Sequence, residues 1–151
     1  MRLISLTAIA VTAALPLFAH ADAAEDAIEA RHGYMKMLSI NMGTLAGMAK
    51  GEIEYDEAAA STAGANIETL SNYTVPALFP EGTAEGEADD SDALPAIWEN
   101  PEDFARKFAD LGEAATGAGD AVMGGQENIG PALQKLGGAC KACHDDYRKK
   151  D

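Results

Sequence analysis

The sequence is poor in basic residues, with 11 lysines and arginines against 25 aspartates and glutamates. Residues 1–21 hold one of the basic residues and none of the acidic ones, so the rest of the chain has 10 against 25, a formal charge of −15. Nucleic acids and anionic membrane surfaces would repel such a chain. The composition therefore argues against both as partners. It predicts that a protein partner would present a basic patch, with association slowing as salt rises.

Long apolar runs are also lacking beyond the N-terminus, whereas a membrane-spanning helix needs ~20 such residues. The N-terminal segment has a positive charge at Arg2, an apolar run over residues 3–18 and the A-x-A cleavage pattern at residues 19–21. Because this run is too short to span, we predict that residues 1–21 are a secretory signal peptide; an uncleaved membrane anchor is the alternative. Residues 22–151 are then predicted to form one periplasmic domain without membrane insertion.

The alternation of apolar and polar residues that marks a strand is not convincing anywhere, and apolar side chains instead recur at three- and four-residue spacing. The first predicted helix covers residues 22–50 and ends at Gly51. The second begins with Asp56 as N-cap and ends before Pro76. Their apolar stripes are Ile28, Met35, Leu38, Met42, Leu45 and Ala49 in the first helix, and Ala60, Ala63, Ile67 and Leu70 in the second.

Two further helices are predicted in the C-terminal half. The third has Asn100 as N-cap and Pro101 at its first position, and its stripe runs from Phe104 to Val122. The fourth follows the Gly124-Gly125 break. Its stripe consists of Ile129, Leu133, Leu136, Cys140, Cys143 and Tyr147, so the cysteines are predicted to lie on a buried seam.

Four helices with apolar seams predict an all-α fold, an antiparallel four-helix bundle. Residues 76–98, between the second and third helices, are predicted to form a long crossover loop because they contain three prolines and a run of acidic residues. These acids lack the spacing of an EF-hand loop. A solvated charge cluster is therefore favoured over a calcium site.

Cysteine is scarce, and both cysteines lie close to one histidine, in Cys140-x-x-Cys143-His144. At 100° per residue on a helix, the three side chains project within one sector of about 100°. A thioredoxin-type dithiol is typical of a βαβ setting, which is absent. A zinc site needs four ligands, and apart from this motif the only histidine or cysteine after residue 21 is the distant His32. The motif is therefore interpreted as an attachment site for one covalent haem c, with two thioether bonds and His144 as proximal iron ligand.

The position of this motif on the last helix of an all-helical domain resembles the class II cytochrome c family, cytochrome c-prime and its low-spin relatives. The resemblance extends over most of the chain after residue 21. It is carried by the pair Arg31 and Met35 and by the segments "NMGTLAGMAKGEIEYDEAA", "LFP", "IWENPEDF" and "ACKACHDDYR". It implies a four-helix bundle with the haem between helices near one end, and a homodimer formed through the first two helices.

Three more residues are predicted to lie near the haem. Arg31 and Met35 are four apart on one face of the first helix, and Arg148 shares a face with His144. A haem propionate is a suitable partner for a buried arginine, while a snorkelling surface side chain is the alternative for Arg31. Met35 is open to three interpretations, which are core packing, the sixth iron ligand, or a cap over an open iron site. The resemblance to low-spin members favours coordination by His144 and Met35.

The function predicted first is that of a periplasmic one-electron carrier, since a thioether ligand stabilises ferrous iron and raises the reduction potential. The alternative is a five-coordinate protein of the cytochrome c-prime type that binds nitric oxide or carbon monoxide. An enzyme such as a peroxidase ranks last, because the sequence shows no evident distal histidine and arginine pair.

Overall fold

The computed structural model describes residues 18–150, with side chains from residue 23 onward. It contains four long helices: α1 (Phe18–Lys50), α2 (Glu57–Ser71), α4 (Pro101–Ala115) and α6 (Ile129–Tyr147). Two short helices, α3 (Ala96–Glu99) and α5 (Ala118–Ala121), and two 3₁₀ turns, Val75–Leu78 and Gln126–Asn128, lie between them. Within the described range there is no strand, only two isolated bridges, and the predicted all-α class is confirmed.

The four long helices close into a bundle. Helix α1 packs against α2 and α6, and α4 packs against the same two helices. This is the arrangement predicted from the four apolar seams. No helix in the described range is both long and apolar enough to cross a membrane. The predicted signal peptide lies largely outside the described residues, and α1 begins within its last four positions.

Several predicted helix ends are found where the sequence places them. Helix α1 ends at Lys50, and Gly51 follows with φ of 73°, a left-handed conformation that glycine adopts without strain. Asp56 caps α2, since its carboxylate accepts a hydrogen bond from the Ala59 amide at 2.7 Å. Pro101 begins α4, and α6 follows the Gly124-Gly125 break.

The third predicted helix is confirmed at its start and wrong in its extent. Asn100 is the N-cap residue of α4, as predicted, although its side chain makes no capping hydrogen bond and its side-chain nitrogen donates to the Ala96 carbonyl of α3 at 3.3 Å. Helix α4 ends at Ala115 rather than near Val122, since Gly117 adopts φ of 70° and the chain restarts as α5. Val122 is nevertheless fully buried. The predicted stripe was therefore right about burial and wrong about helix continuity.

Two apolar clusters fill the bundle. The larger one lies along the middle of the helices and includes the fully buried Leu45, Ile67, Ile129 and Leu136. The smaller one comprises Ala93, Ile97, Phe104 and Tyr147, with Cys143 packed against it. The motif on α6 spans both clusters, because Cys140 packs against the larger one.

The crossover loop is held against the end of α6. The Leu94 amide donates to the Tyr147 carbonyl at 3.0 Å, and the Lys149 amide donates to the Asp92 carbonyl at 2.9 Å. Trp98 joins the two ends of the loop, since its indole Nε1 donates a hydrogen bond to the Phe79 carbonyl at 3.2 Å. The predicted loop is thus an ordered wall beside the motif.

The backbones of α2 and α5 approach each other closely at Gly64 of α2. A Cβ atom built there would lie 2.5 Å from the Ala118 carbonyl oxygen and 2.7 Å from the Gly119 nitrogen, both of α5. Real contacts of this kind are not that short, and backbone atoms cannot move aside as a flexible side chain does. Only glycine therefore allows α5 to seat on α2.

We expect Gly64→Ala to lower the free energy of unfolding by about 1–3 kcal/mol, since α5 must move off α2. Chemical denaturation of the haem-loaded protein would measure this. Gly130→Ala is the matched control, because a Cβ at this exposed position of α6 meets nothing within 4 Å. Equal stability of the two variants would contradict the packing argument.

Candidate haem site

A cavity of about 220 Å³ opens between α1, α4, α6 and the crossover loop. Its walls are mainly apolar and aromatic, with the motif on one side and α1 on the other. The lining residues that matter here are Ile28, Arg31, His32, Met35, Phe79, Ile97, Phe104, Phe108, Cys143, His144, Tyr147 and Arg148. Of the six predicted site residues, the structure brings five to this cavity. Cys140 lies one turn before His144, half-buried against the larger apolar cluster.

The motif supplies two thiols and an imidazole in uncharged form. Burial raises the pKa of Cys143 to about 11 and raises the pKa of Cys140, so both thiols are protonated at neutral pH. Burial, followed by the positive charge of Arg148, lowers the pKa of His144. The imidazole is therefore predominantly neutral at pH 7, which is the form that can bind a metal ion through a ring nitrogen.

Arg31 is a buried cation on the α1 side of the cavity, with only 6% of its surface exposed. Its guanidinium carbon lies 4.5 Å from the centre of the Phe79 ring, and its two terminal nitrogens donate to the Thr83 carbonyl at 3.4 and 3.5 Å. Burial lowers its pKa. No carboxylate among the described residues pairs with it, so an anionic group in the cavity would complete its environment.

Met35 lies one helical turn beyond Arg31 and is partly buried. Its side chain lines the α1 side of the cavity, as the four-residue spacing predicted. His32, which is exposed, lines the cavity at its surface. Arg148 follows the last residue of α6, and its amide donates to the His144 carbonyl at 3.2 Å.

Two contacts join α4 to the end of α6. The Tyr147 hydroxyl donates to Asp103 Oδ2 at 2.6 Å, and Lys107 Nζ pairs with Asp146 Oδ2 at 2.9 Å. The first hydrogen bond raises the pKa of Tyr147 to about 12 and lowers the pKa of Asp103. The phenol and the carboxylate therefore keep their donor and acceptor forms through the physiological pH range.

Sequence reasoning missed the aromatic walls and these two contacts. Phe104 and Phe108 were assigned only to a helix stripe, yet they pack edge to face with centroids 5.2 Å apart and line the cavity. Their spacing of four residues at the start of α4 was the available signal. Phe79 lies in the segment "LFP", and sequence reasoning assigned it no role at the site, although its ring contacts both Arg31 and Phe104. No local pattern pairs Asp103 with Tyr147, which lie 44 residues apart.

The donor set fits haem c. Two free thiols and a neutral imidazole on the last turns of one helix can bond a flat ring at two edges and ligate its iron. Apolar and aromatic side chains flank the imidazole, and buried Arg31 suits a propionate. These features define a c-type haem protein built on a four-helix bundle.

The chain belongs to the cytochrome c' family, because the family model described as Cytochrome C' matches residues 26–148. It is 46% identical over 127 residues to cytochrome c-554 of Cereibacter sphaeroides, covering 84% of this chain and 96% of that protein. The solved cytochrome c' of Rhodobacter sphaeroides superposes with a TM-score of 0.79 at 38% identity, covering 85% and 98% of the two chains. The predicted family and cofactor, one covalent haem c, are therefore confirmed.

A further solved relative is a variant of cytochrome c prime from Alcaligenes xylosoxidans in complex with nitric oxide. It is 30% identical to this chain, with a TM-score of 0.70 and coverage of 85% of this chain and 97% of that one. The structural likeness therefore extends over nearly the whole of both solved relatives.

We expect the double variant Cys140→Ala/Cys143→Ala, made in a host that matures cytochromes, to lose covalent haem. Acid-acetone extraction would then remove the colour, and the polypeptide would lack the mass of the porphyrin. Each single variant should retain one thioether bond and resist extraction. Haem that stays bound to the double variant through extraction would contradict the assignment of the two thiols.

Proposed function

We propose that this protein is a haem c protein with an open iron position facing α1, which binds a small neutral gas such as nitric oxide or carbon monoxide. His144 serves as the proximal ligand, and Cys140 and Cys143 hold the ring. When bound, the haem supplies an iron with one exchangeable position and a one-electron redox couple. The protein acts in binding rather than in catalysis.

The observation that carries this proposal is that, among the described residues, the buried part of the α1 side of the cavity offers no free polar side chain. Ile28, Met35 and Phe79 line it, Arg31 is turned toward the Phe79 ring and the Thr83 carbonyl, and His32 is exposed at the cavity surface. A polar distal pocket with free hydrogen-bond donors favours oxygen binding or peroxide activation. Nitric oxide and carbon monoxide need no such donors. The arrangement therefore favours a gas binder over a peroxidase.

The comparisons support the same choice. The family match is to Cytochrome C', and the solved relative from Alcaligenes xylosoxidans was obtained as a nitric oxide complex. These findings favour the five-coordinate alternative over the electron carrier that the sequence favoured first.

The second candidate is the low-spin electron carrier with Met35 as sixth ligand. The specific observation in its favour is that Met35 lines the same cavity as His144. A methionine side chain is flexible, and its sulfur is a recognised haem ligand. The relative at 46% identity is named cytochrome c-554 rather than cytochrome c', and this difference in name supports the second candidate.

Spectroscopy of Met35 variants separates the two candidates. For an open iron site, we expect high-spin ferric and ferrous spectra in the parent protein, in Met35→Ala and in Met35→Leu. Nitric oxide should bind several-fold faster to Met35→Ala, because the smaller side chain clears the α1 side. Met35→Leu is the matched control, since it keeps the volume and removes the sulfur.

The opposite pattern would establish the carrier. In that case the parent protein is low-spin, and both Met35→Ala and Met35→Leu become high-spin because each has lost the thioether. Optical and electron paramagnetic spectra of the purified proteins give this answer directly.

We also propose that the protein is periplasmic and forms a homodimer through α1 and α2. Met37 and Ile40 of α1 support the dimer, because they are 48% and 59% exposed and large apolar side chains are favoured at interfaces. The acidic surface supports the proposal of a redox partner with a basic patch.

Export is tested by the N-terminus of the periplasmic protein. We expect intact mass and N-terminal sequencing to show a chain that begins at Asp22, because cleavage follows the A-x-A pattern at residues 19–21. A periplasmic chain that retains residues 1–21 would contradict cleavage and favour the uncleaved anchor.

A further inference from the structure

The haem motif lies near the C-terminal end of α6, and the last turn of a helix needs contacts from neighbouring elements to hold its conformation. Helix α6 ends at Tyr147, three residues after His144. The last four carbonyl groups of a helix have no partner within it, so a final turn loosens readily. A ligand held on such a turn keeps a fixed direction only when neighbouring elements brace it.

Neighbouring elements brace this turn from two sides. On the α4 side, Asp103 accepts the hydrogen bond from the Tyr147 hydroxyl at 2.6 Å, and Lys107 pairs with Asp146. On the loop side, the Leu94 amide donates to the Tyr147 carbonyl at 3.0 Å. Tyr147 is therefore bonded to both sides, through its side chain and through its backbone.

Tyr147 also reaches the cavity itself. It is 6% exposed, its ring lines the cavity beside His144, and its ring centroid lies 5.2 Å from that of Phe104 with an interplanar angle of 75°. On a helix, residues three apart are separated by about 60° around the axis. A rotation of the last turn would therefore move the Tyr147 ring and the His144 imidazole together.

We propose that Tyr147 is a positioning residue for His144. Its hydroxyl, held by Asp103 of α4, fixes the rotation of the last turn of α6 and so the direction in which the imidazole enters the cavity. The inference rests on the proposed role of His144 as proximal ligand. It is independent of whether Met35 binds the iron.

The test is Tyr147→Phe, which keeps the ring and removes only the hydroxyl. We expect the variant to retain covalent haem and its helix content. The iron–histidine stretching band in resonance Raman spectra should shift and broaden, and amide hydrogen exchange in the last turn of α6 should become several-fold faster. The band is read on ferrous protein in a Met35→Ala background, so that it reports the His144 bond under either proposed function.

Three further variants make the result specific. Tyr55→Phe is the matched control, because the Tyr55 hydroxyl also braces the fold, donating to the Val122 carbonyl at 3.0 Å, but Tyr55 is not among the cavity-lining residues. It should leave the Raman band unchanged. Asp103→Ala should reproduce the effect of Tyr147→Phe, whereas Asp103→Asn, which keeps an acceptor oxygen, should restore most of the parent spectrum.

Two results would overturn the proposal. One is a Raman band in Tyr147→Phe that coincides with that of its Met35→Ala parent. The other is an equal shift in Tyr55→Phe, which would mean that any lost brace acts through general loosening of the bundle. A high-spin or low-spin state of the parent protein decides the proposed function and leaves this outcome unaffected.

Discussion

Helical periodicity is the constraint on which the site depends. Cys140, Cys143 and His144 share one sector of α6 only because the chain advances by about 100° per residue. In an extended strand, the first two of these side chains would point to opposite faces. The bundle must therefore keep the last turns of α6 helical, and the structure does so with contacts from α4 and from the crossover loop.

The bundle contains two apolar clusters, one that holds the helices together and one that borders the cavity. The larger apolar cluster, around the fully buried Leu45 and Leu136, consists of buried side chains that hold the helices together. The smaller cluster, around Phe104 and Tyr147, borders the cavity. Because Cys140 packs against the first cluster and Cys143 against the second, the motif joins the two clusters. Under the proposed attachment through both thiols, the position of the haem is thereby tied to both clusters.

The features that the sequence predicts well are local ones. The end of α1 at Gly51, the cap at Asp56 and the sector occupied by the motif each follow from residues a few positions apart. The features that it predicts badly depend on contacts between distant segments or on backbone conformation. The Asn100 side chain bonds back to α3, and Gly117 adopts a left-handed conformation that ends α4 early. The contacts of Arg31 with Phe79 and Thr83 likewise join α1 to a loop about fifty residues away.

Met35 marks the limit of sequence reasoning about function. Its four-residue spacing from Arg31 places it on the cavity wall, and the structure agrees. Coordination of iron, however, requires the sulfur to reach bonding distance, and the three rotatable bonds of methionine allow it to pack or to bind from the same backbone position. The choice between a gas binder and an electron carrier therefore depends on one rotamer rather than on the fold.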